Sequence, residues 1–137
     1  MRVLIRVGFM VGVLTLFVSG ISNSQEELTK RDSRGPVAVT VTLTAPPTDG
    51  ASIKVKVVLD THSVSLDRIE FEKTVAMRIR EDIDIMPSLA ETKGGGHHRE
   101  ALLVFPPVSQ GGKLMIVVKN VGGVPERLFS WDCPVVC

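Results

Sequence analysis

Val37-Ala38-Val39-Thr40-Val41-Thr42-Leu43 alternates apolar and small or polar residues without a break, and Ile53-Lys54-Val55-Lys56-Val57-Val58-Leu59 takes up the same alternation a short distance on. A strand turns successive side chains to opposite faces, so this period of two describes a ribbon with one face buried and one wet. Between the two runs, Pro46-Pro47-Thr48-Asp49-Gly50 has the composition of a turn, with proline fixing φ and Asp-Gly suited to a reversal. The pair therefore reads as an antiparallel hairpin. Continuing its second alternation places Asp60 and His62 on the side of Lys54 and Lys56.

Working outward from the hairpin, the same period recurs. Ile69, Phe71, Val75, Met77 and Ile79 suggest a further strand up to Arg80, although Glu72 to Met77 could also make one helical turn. Glu81 to Lys93 is polar, holds Pro87, and reads as a connection with at most one short strand. Ala101 to Phe105 is a continuous apolar run closed by Pro106-Pro107, as in a strand covered on both faces. Lys113 to Lys119 is another, after the turn Ser109-Gln110-Gly111-Gly112. Val121-Gly122-Gly123-Val124-Pro125 is again turn chemistry, and Arg127 to Trp131 is a last short strand with Leu128 and Ser130 on one side and Phe129 and Trp131 on the other. The expected fold is all-β, a single immunoglobulin-like β-sandwich of about six or seven strands.

The N-terminal residues have a different character. Met1-Arg2-Val3-Leu4-Ile5-Arg6 is basic and an apolar run extends from Val7 to Val18, the pattern of a signal peptide. Ser22-Asn23-Ser24 supplies the small residues a signal peptidase reads, placing the signal peptide at 1–24. An uncleaved anchor is the competing reading, against which the run is shorter than the ~20 residues that span a bilayer comfortably. No cysteine follows the run, which excludes a lipoprotein anchor. Residues 25–35 (QEELTKRDSRG) lack apolar periodicity and read as a flexible linker, 36–132 as the sandwich, and 133–137 as a cysteine tail. The expected location is periplasmic or secreted, with membrane contact only if the leader stays attached.

Charge narrows the partners. Sixteen Lys and Arg stand against fifteen Asp and Glu, with no block of one sign, so nothing points to nucleic acid. Cys133 and Cys137 form a C-x-x-x-C pair that superficially resembles the copper-binding pair of exported copper chaperones of the cytochrome oxidase assembly class. Those proteins carry helices with no counterpart in this pattern, and an oxidising compartment favours a disulfide that would staple the tail and little else.

The candidate chemistry is a metal site. Asp60 and His62, two apart on a strand, project from one face, while His97 and His98 follow three glycines that could open a bulge and turn both imidazoles toward one ion. Imidazoles with a carboxylate suit copper or zinc, and an open coordination position would favour delivery or sensing. The competing reading is a non-catalytic structural or protein-interaction domain of the cell envelope in which these residues only hydrogen-bond a turn. Lys54 and Lys56 on the same face count toward the second. Partners are accordingly a metal ion or an envelope protein.

An enzyme is not expected. Asp60, His62 and Ser63 have triad chemistry but are too close on one strand to align, and there is no G-x-S-x-G elbow. The glycines lack the lysine and helix of a phosphate loop. Arg99 and Arg127, with backbone amides of the two glycine turns, could hold a carboxylate, although arginine at such positions is usually plain surface.

Three stretches carry a family likeness. Leu59-Asp60-Thr61-His62-Ser63-Val64-Ser65-Leu66, then Gly94-Gly95-Gly96-His97-His98-Arg99-Glu100 running into Leu103-Val104-Phe105-Pro106, then Val121-Gly122-Gly123-Val124-Pro125-Glu126-Arg127 ending in Trp131, resemble an uncharacterised family of exported bacterial β domains marked by DTHS and GGGHHR motifs. The resemblance runs from about Val55 to Trp131. It implies an extracytoplasmic β domain with the two histidine stretches side by side, and no activity. The chain departs from the pattern before Gly94, where an aromatic residue is expected and Leu89-Ala90-Glu91-Thr92-Lys93 stands instead.

Overall fold

The alternating runs pair as the period of two requires. In the computed structural model, which describes residues 28–48, 50–107 and 112–133, β2 (Val37–Leu43) and β3 (Ile53–Thr61) are antiparallel with Val39 opposite Leu59 and Val41 opposite Val57. Their inward side chains are buried and the alternate ones are not. The remaining strands are β1 (Thr29–Asp32), β4 (Val75–Arg80), β5 (Ile83–Ile85), β6 (Leu89–Gly95), β7 (His98–Phe105), β8 (Gly112–Val121) and β9 (Val124–Cys133). A single helical turn, α1 (Phe71–Thr74), leads into β4.

These strands form two antiparallel sheets, β1-β2-β3-β7-β6 and β5-β4-β8-β9, laid face to face as a β-sandwich. The core between them is aliphatic with a few large rings. Val39, Val57 and Leu103 of the first sheet meet Met77, Ile116 and Phe129 of the second, while Leu66 and Phe71, both fully buried, plug one end. Burial of this kind stabilises by ~25 cal/mol per Å² of apolar surface removed from water.

Among the described residues nine strands replace the expected six or seven, and each added strand lies where apolar periodicity is weak. The segment expected to be linker holds β1, an edge strand that pairs Lys30 with Val41 and Asp32 with Val39. It needs no apolar face of its own, because the ladder to β2 satisfies its backbone. The polar connection after Arg80 contains two strands rather than at most one: β5 pairs with β4 and β6 with β7. The strand expected from Ile69 begins only at Val75, because Phe71 turns into the core within α1. Ala101 to Phe105 is not covered on both faces, since Leu102 and Val104 are only half-buried. The last described strand is ten residues long and includes Cys133, a residue expected in the tail. The expected leader at 1–24, the turn residues Asp49 and Ser109 to Gly111, and Cys137 lie outside the described residues. No helix among the described residues is long and apolar enough to cross a membrane.

The outer face of the four-stranded sheet is closed by charge. Arg78 bonds Asp84 (2.8 Å) and Glu126 (2.7 Å), and Lys119 reaches back to Asp84. Ala76 and Val117, opposite each other in the ladder and facing away from the core, are nonetheless buried. Arg78 and Lys119 lie two residues from them on the same face and reach across the strands in opposite directions, so their aliphatic stems roof this apolar pair. The Arg78 guanidinium, helped by Lys119, lowers the Asp84 carboxyl to about 2. Arg78 likewise holds Glu126 below the usual carboxylate range.

Candidate functional site

Asp60 and His98 are the two candidate ligands that the fold brings into contact. They are cross-strand partners on β3 and β7. Thr61 N–H donates to the His97 carbonyl at 3.0 Å, which sets the phase of this ladder and makes Asp60 and His98 a non-hydrogen-bonded pair, the kind whose side chains stand closest. Imidazole Nδ1 and carboxylate Oδ1 are 2.5 Å apart. Both side chains remain well exposed, at 59% for His98 and 42% for Asp60.

His97 and His62 take different places. Gly96 and His97 form the two-residue turn between β6 and β7, with a positive φ of 62° at Gly96 and none at His97, as in a type II′ hairpin. Gly94 and Gly95 thus end β6 and Gly96 opens a tight turn, in place of a bulge presenting both imidazoles. Both histidine rings lie at an exposed surface, but on successive positions with different backbone roles. His62 follows the end of β3 and is exposed. Among the described residues no group of three or more His, Cys, Asp or Glu side chains is gathered as a metal would need. Asp60 and His98 meet without a third ligand from this set.

The polar residues around the turn are used to dock it. Asp67 accepts a 2.7 Å bond from Gly96 N–H and one from Ser65 Oγ. Those bonds, that from Gly96 first, hold its carboxyl below the ordinary range. Leu66 N–H donates to the Gly96 carbonyl at 2.8 Å. Arg99, in phase with the buried Ala101 and Leu103, turns inward: Nη1 donates to the carbonyls of Leu66 (2.9 Å) and Ile69 (2.7 Å), and the guanidinium lies 5.2 Å from the Phe71 ring centre. It is a brace between β7 and the loop at 65–70.

Arg127 is the functional-looking residue whose role the sequence reading missed. It is fully buried. Its guanidinium donates to the carbonyls of Val121 (2.7 Å), Arg34 (2.6 Å) and Val37 (3.0 Å), with Asp32 at 3.6 Å from Nε. Burial pushes this group down from its ordinary range, and Asp32 works in the opposite sense. The signal that could have located it was its phase, because Arg127 alternates with Leu128 and so shares the inward face with Phe129 and Trp131. With donors of both arginines committed to carbonyls, the anion-binding arrangement of Arg99 and Arg127 is not formed.

Two buried side-chain nitrogens, Arg127 Nε and Trp131 Nε1, have no hydrogen-bond partner among the described residues. The Lys30 ammonium stands 5.7 Å from the Trp131 ring centre, tying β1 to β9 across the sandwich edge. Cys133 is buried and disulfide-bonded. Among the described residues the surface offers one carboxylate-oriented imidazole and a set of exposed apolar side chains, Ile83, Met86, Leu89 and Leu128. The first three fall within one crossover from β5 to β6, where each sheet ends in an edge strand.

No protein-family model, curated protein sequence or solved structure matches this chain. Fold and surface together define an all-β sandwich of two antiparallel sheets in which Asp67, Arg99 and Arg127 brace turns and bends of its own backbone.

Proposed function

We propose that the protein is an exported, non-catalytic β-sandwich that acts as a protein-interaction module of the cell envelope. Export is supported by the basic and apolar N-terminal pattern. The observation that carries the interaction reading is the crossover bearing Ile83, Met86 and Leu89, with exposures of 44%, 48% and 51%. Three large apolar side chains within a seven-residue stretch at two open sheet edges mark a surface that gains by being covered. Arg99 and Arg127, the candidate anion-binding pair, are meanwhile committed to backbone carbonyls.

The test is photocrosslinking in whole cells from a reactive residue at position 86, compared with the same residue at position 42 on the far side of the first sheet. Adducts specific to position 86, lost in an Ile83→Ser/Leu89→Ser variant that still folds, support the reading. Equal labelling from both positions removes it.

A metal-binding reading retains one specific observation. Asp60 holds His98 by Nδ1, leaving Nε2 toward solvent, the orientation in which a carboxylate prepares an imidazole for copper or zinc. His98 would supply one ligand, Asp60 would orient it, and His62 or His97 would have to move to join. Copper and zinc titration of the wild type beside His97→Ala/His98→Ala tests this; equal, weak binding by both removes it.

A further inference from the structure

The free edge of the five-stranded sheet has a defined hydrogen-bonding phase. Because Thr61 bonds the His97 carbonyl, alternation along β7 turns the backbone groups of Arg99, Ala101 and Leu103 toward β3, and those of His98, Glu100 and Leu102 toward β6. Their β6 partners are Gly95, Lys93 and Glu91. Ala90, Thr92 and Gly94 consequently aim N–H and C=O away from the sheet. Every β6 residue except Ala90 is exposed, and among the described residues no strand pairs with its outer side. No proline interrupts it.

The side chains of this edge are self-complementary. We infer that β6 pairs antiparallel with β6 of a second copy of this chain, about a two-fold axis through Thr92; this rests on the interaction reading and names its partner. That register makes hydrogen-bonded pairs of Thr92 with Thr92 and of Ala90 with Gly94. It sets Glu91 of each copy opposite Lys93 of the other, twice by symmetry, in the close non-hydrogen-bonded position. An axis two residues either way fails. One through Ala90 sets Glu91 opposite Leu89, and one through Gly94 sets Lys93 opposite Gly95. Charge therefore selects a single register.

The neighbouring groups are compatible with it. Lys93 is 80% exposed and only 3.2 Å from Glu100, which already holds Lys56 at 2.7 Å, so Lys93 can turn outward without stranding an acid. Leu89 would come opposite Gly95, where no side chain obstructs it, and Met86 would lie at the margin of the same contact. The two five-stranded sheets would become one of ten.

Analytical ultracentrifugation of the purified protein tests this with Glu91→Lys and with the charge-swapped Glu91→Lys/Lys93→Glu. The wild type is expected to show a monomer–dimer equilibrium. Glu91→Lys, which sets lysine against lysine, should weaken it by about tenfold or more, and the swap should restore it to within about threefold. Circular dichroism and thermal melts establish that each variant is folded. A wild type that stays monomeric up to roughly 1 mM, a Glu91→Lys dimer as tight as wild type, or a swap that restores nothing each overturns the inference. If the wild type is monomeric while position 86 still crosslinks to another protein, the interaction reading stands and only the self-pairing falls.

Discussion

Asp60 and His98 face each other across β3 and β7 with carboxylate oxygen and imidazole Nδ1 at 2.5 Å. A carboxylate accepts only, so Nδ1 must be the donor and the neutral ring carries its proton there. Nitrogen-resolved NMR of the neutral ring should show the Nδ1–H tautomer for His98, and Asp60→Asn should relax it toward the usual Nε2–H form. An unchanged tautomer in Asp60→Asn would remove the pair as an orienting device. Because both groups are exposed, the substitution should move the melting temperature by less than about 2 °C.

Arg127 should be among the most costly residues to replace. Arg127→Met strips partners from the carbonyls of Arg34, Val37 and Val121 inside the fold, and is expected to lower stability by about 3 kcal/mol or more in urea unfolding. Arg127→Lys keeps the charge without the planar fork and should recover only part of that loss. A loss below about 1 kcal/mol for the methionine variant would contradict the buried brace.

The outer-face network predicts an acid-sensitive component of stability. Asp84 is lowered to about 2 in the fold against an ordinary 3.8, so its contribution is present above about pH 4 and is lost as pH falls from there through 2. After allowance for solvent screening it amounts to about 1 kcal/mol. Urea midpoints measured between pH 2 and 5 should fall less steeply for Asp84→Asn than for wild type; parallel curves would exclude the assignment.

Gly94 and Gly96 should respond differently to alanine. Both have positive φ, 79° and 62°, but a Cβ on Gly94 would fall on the His98 carbonyl oxygen inside van der Waals contact, whereas one on Gly96 meets nothing within 4 Å. Gly96→Ala should cost about 1 kcal/mol, the left-handed backbone penalty alone. Gly94→Ala should cost about 2 to 3 kcal/mol and disturb the β6–β7 hairpin, because backbone cannot move aside cheaply. Similar losses for both would mean that the contact relaxes.

The hairpin of β2 and β3 was legible because each strand has one face in the core and one in water, and Val37 to Leu43 records that division residue by residue. β1 and β6 were not, because edge strands take their order from ladders to β2 and β7 while their side chains stay exposed, so Thr29 to Asp32 reads as flexible linker and Leu89 to Lys93 as part of a connection with at most one short strand. Asp60 and His98 were legible as chemistry, but their pairing was not, since it depends on a register set across 38 residues. The roles of Arg99 and Arg127 were hidden for another reason. Residue type argued for the surface while phase argued for the interior, and the carbonyls that make burial tolerable come from distant backbone.

The clamp made by Arg127 also sets an order of events during synthesis. Its bond to the Arg34 carbonyl joins positions 93 residues apart, and β9, which carries it, is the last described strand. A chain that has emerged only as far as β8 can pair β1, β2 and β3 with one another but has nothing to fasten the Arg34 to Val37 bend onto the opposite sheet. Long-range closure of this kind comes late and slowly. The bend from Arg34 to Val37 therefore stays unfastened from the second sheet until β9 has been made, after every other described strand is available to pair.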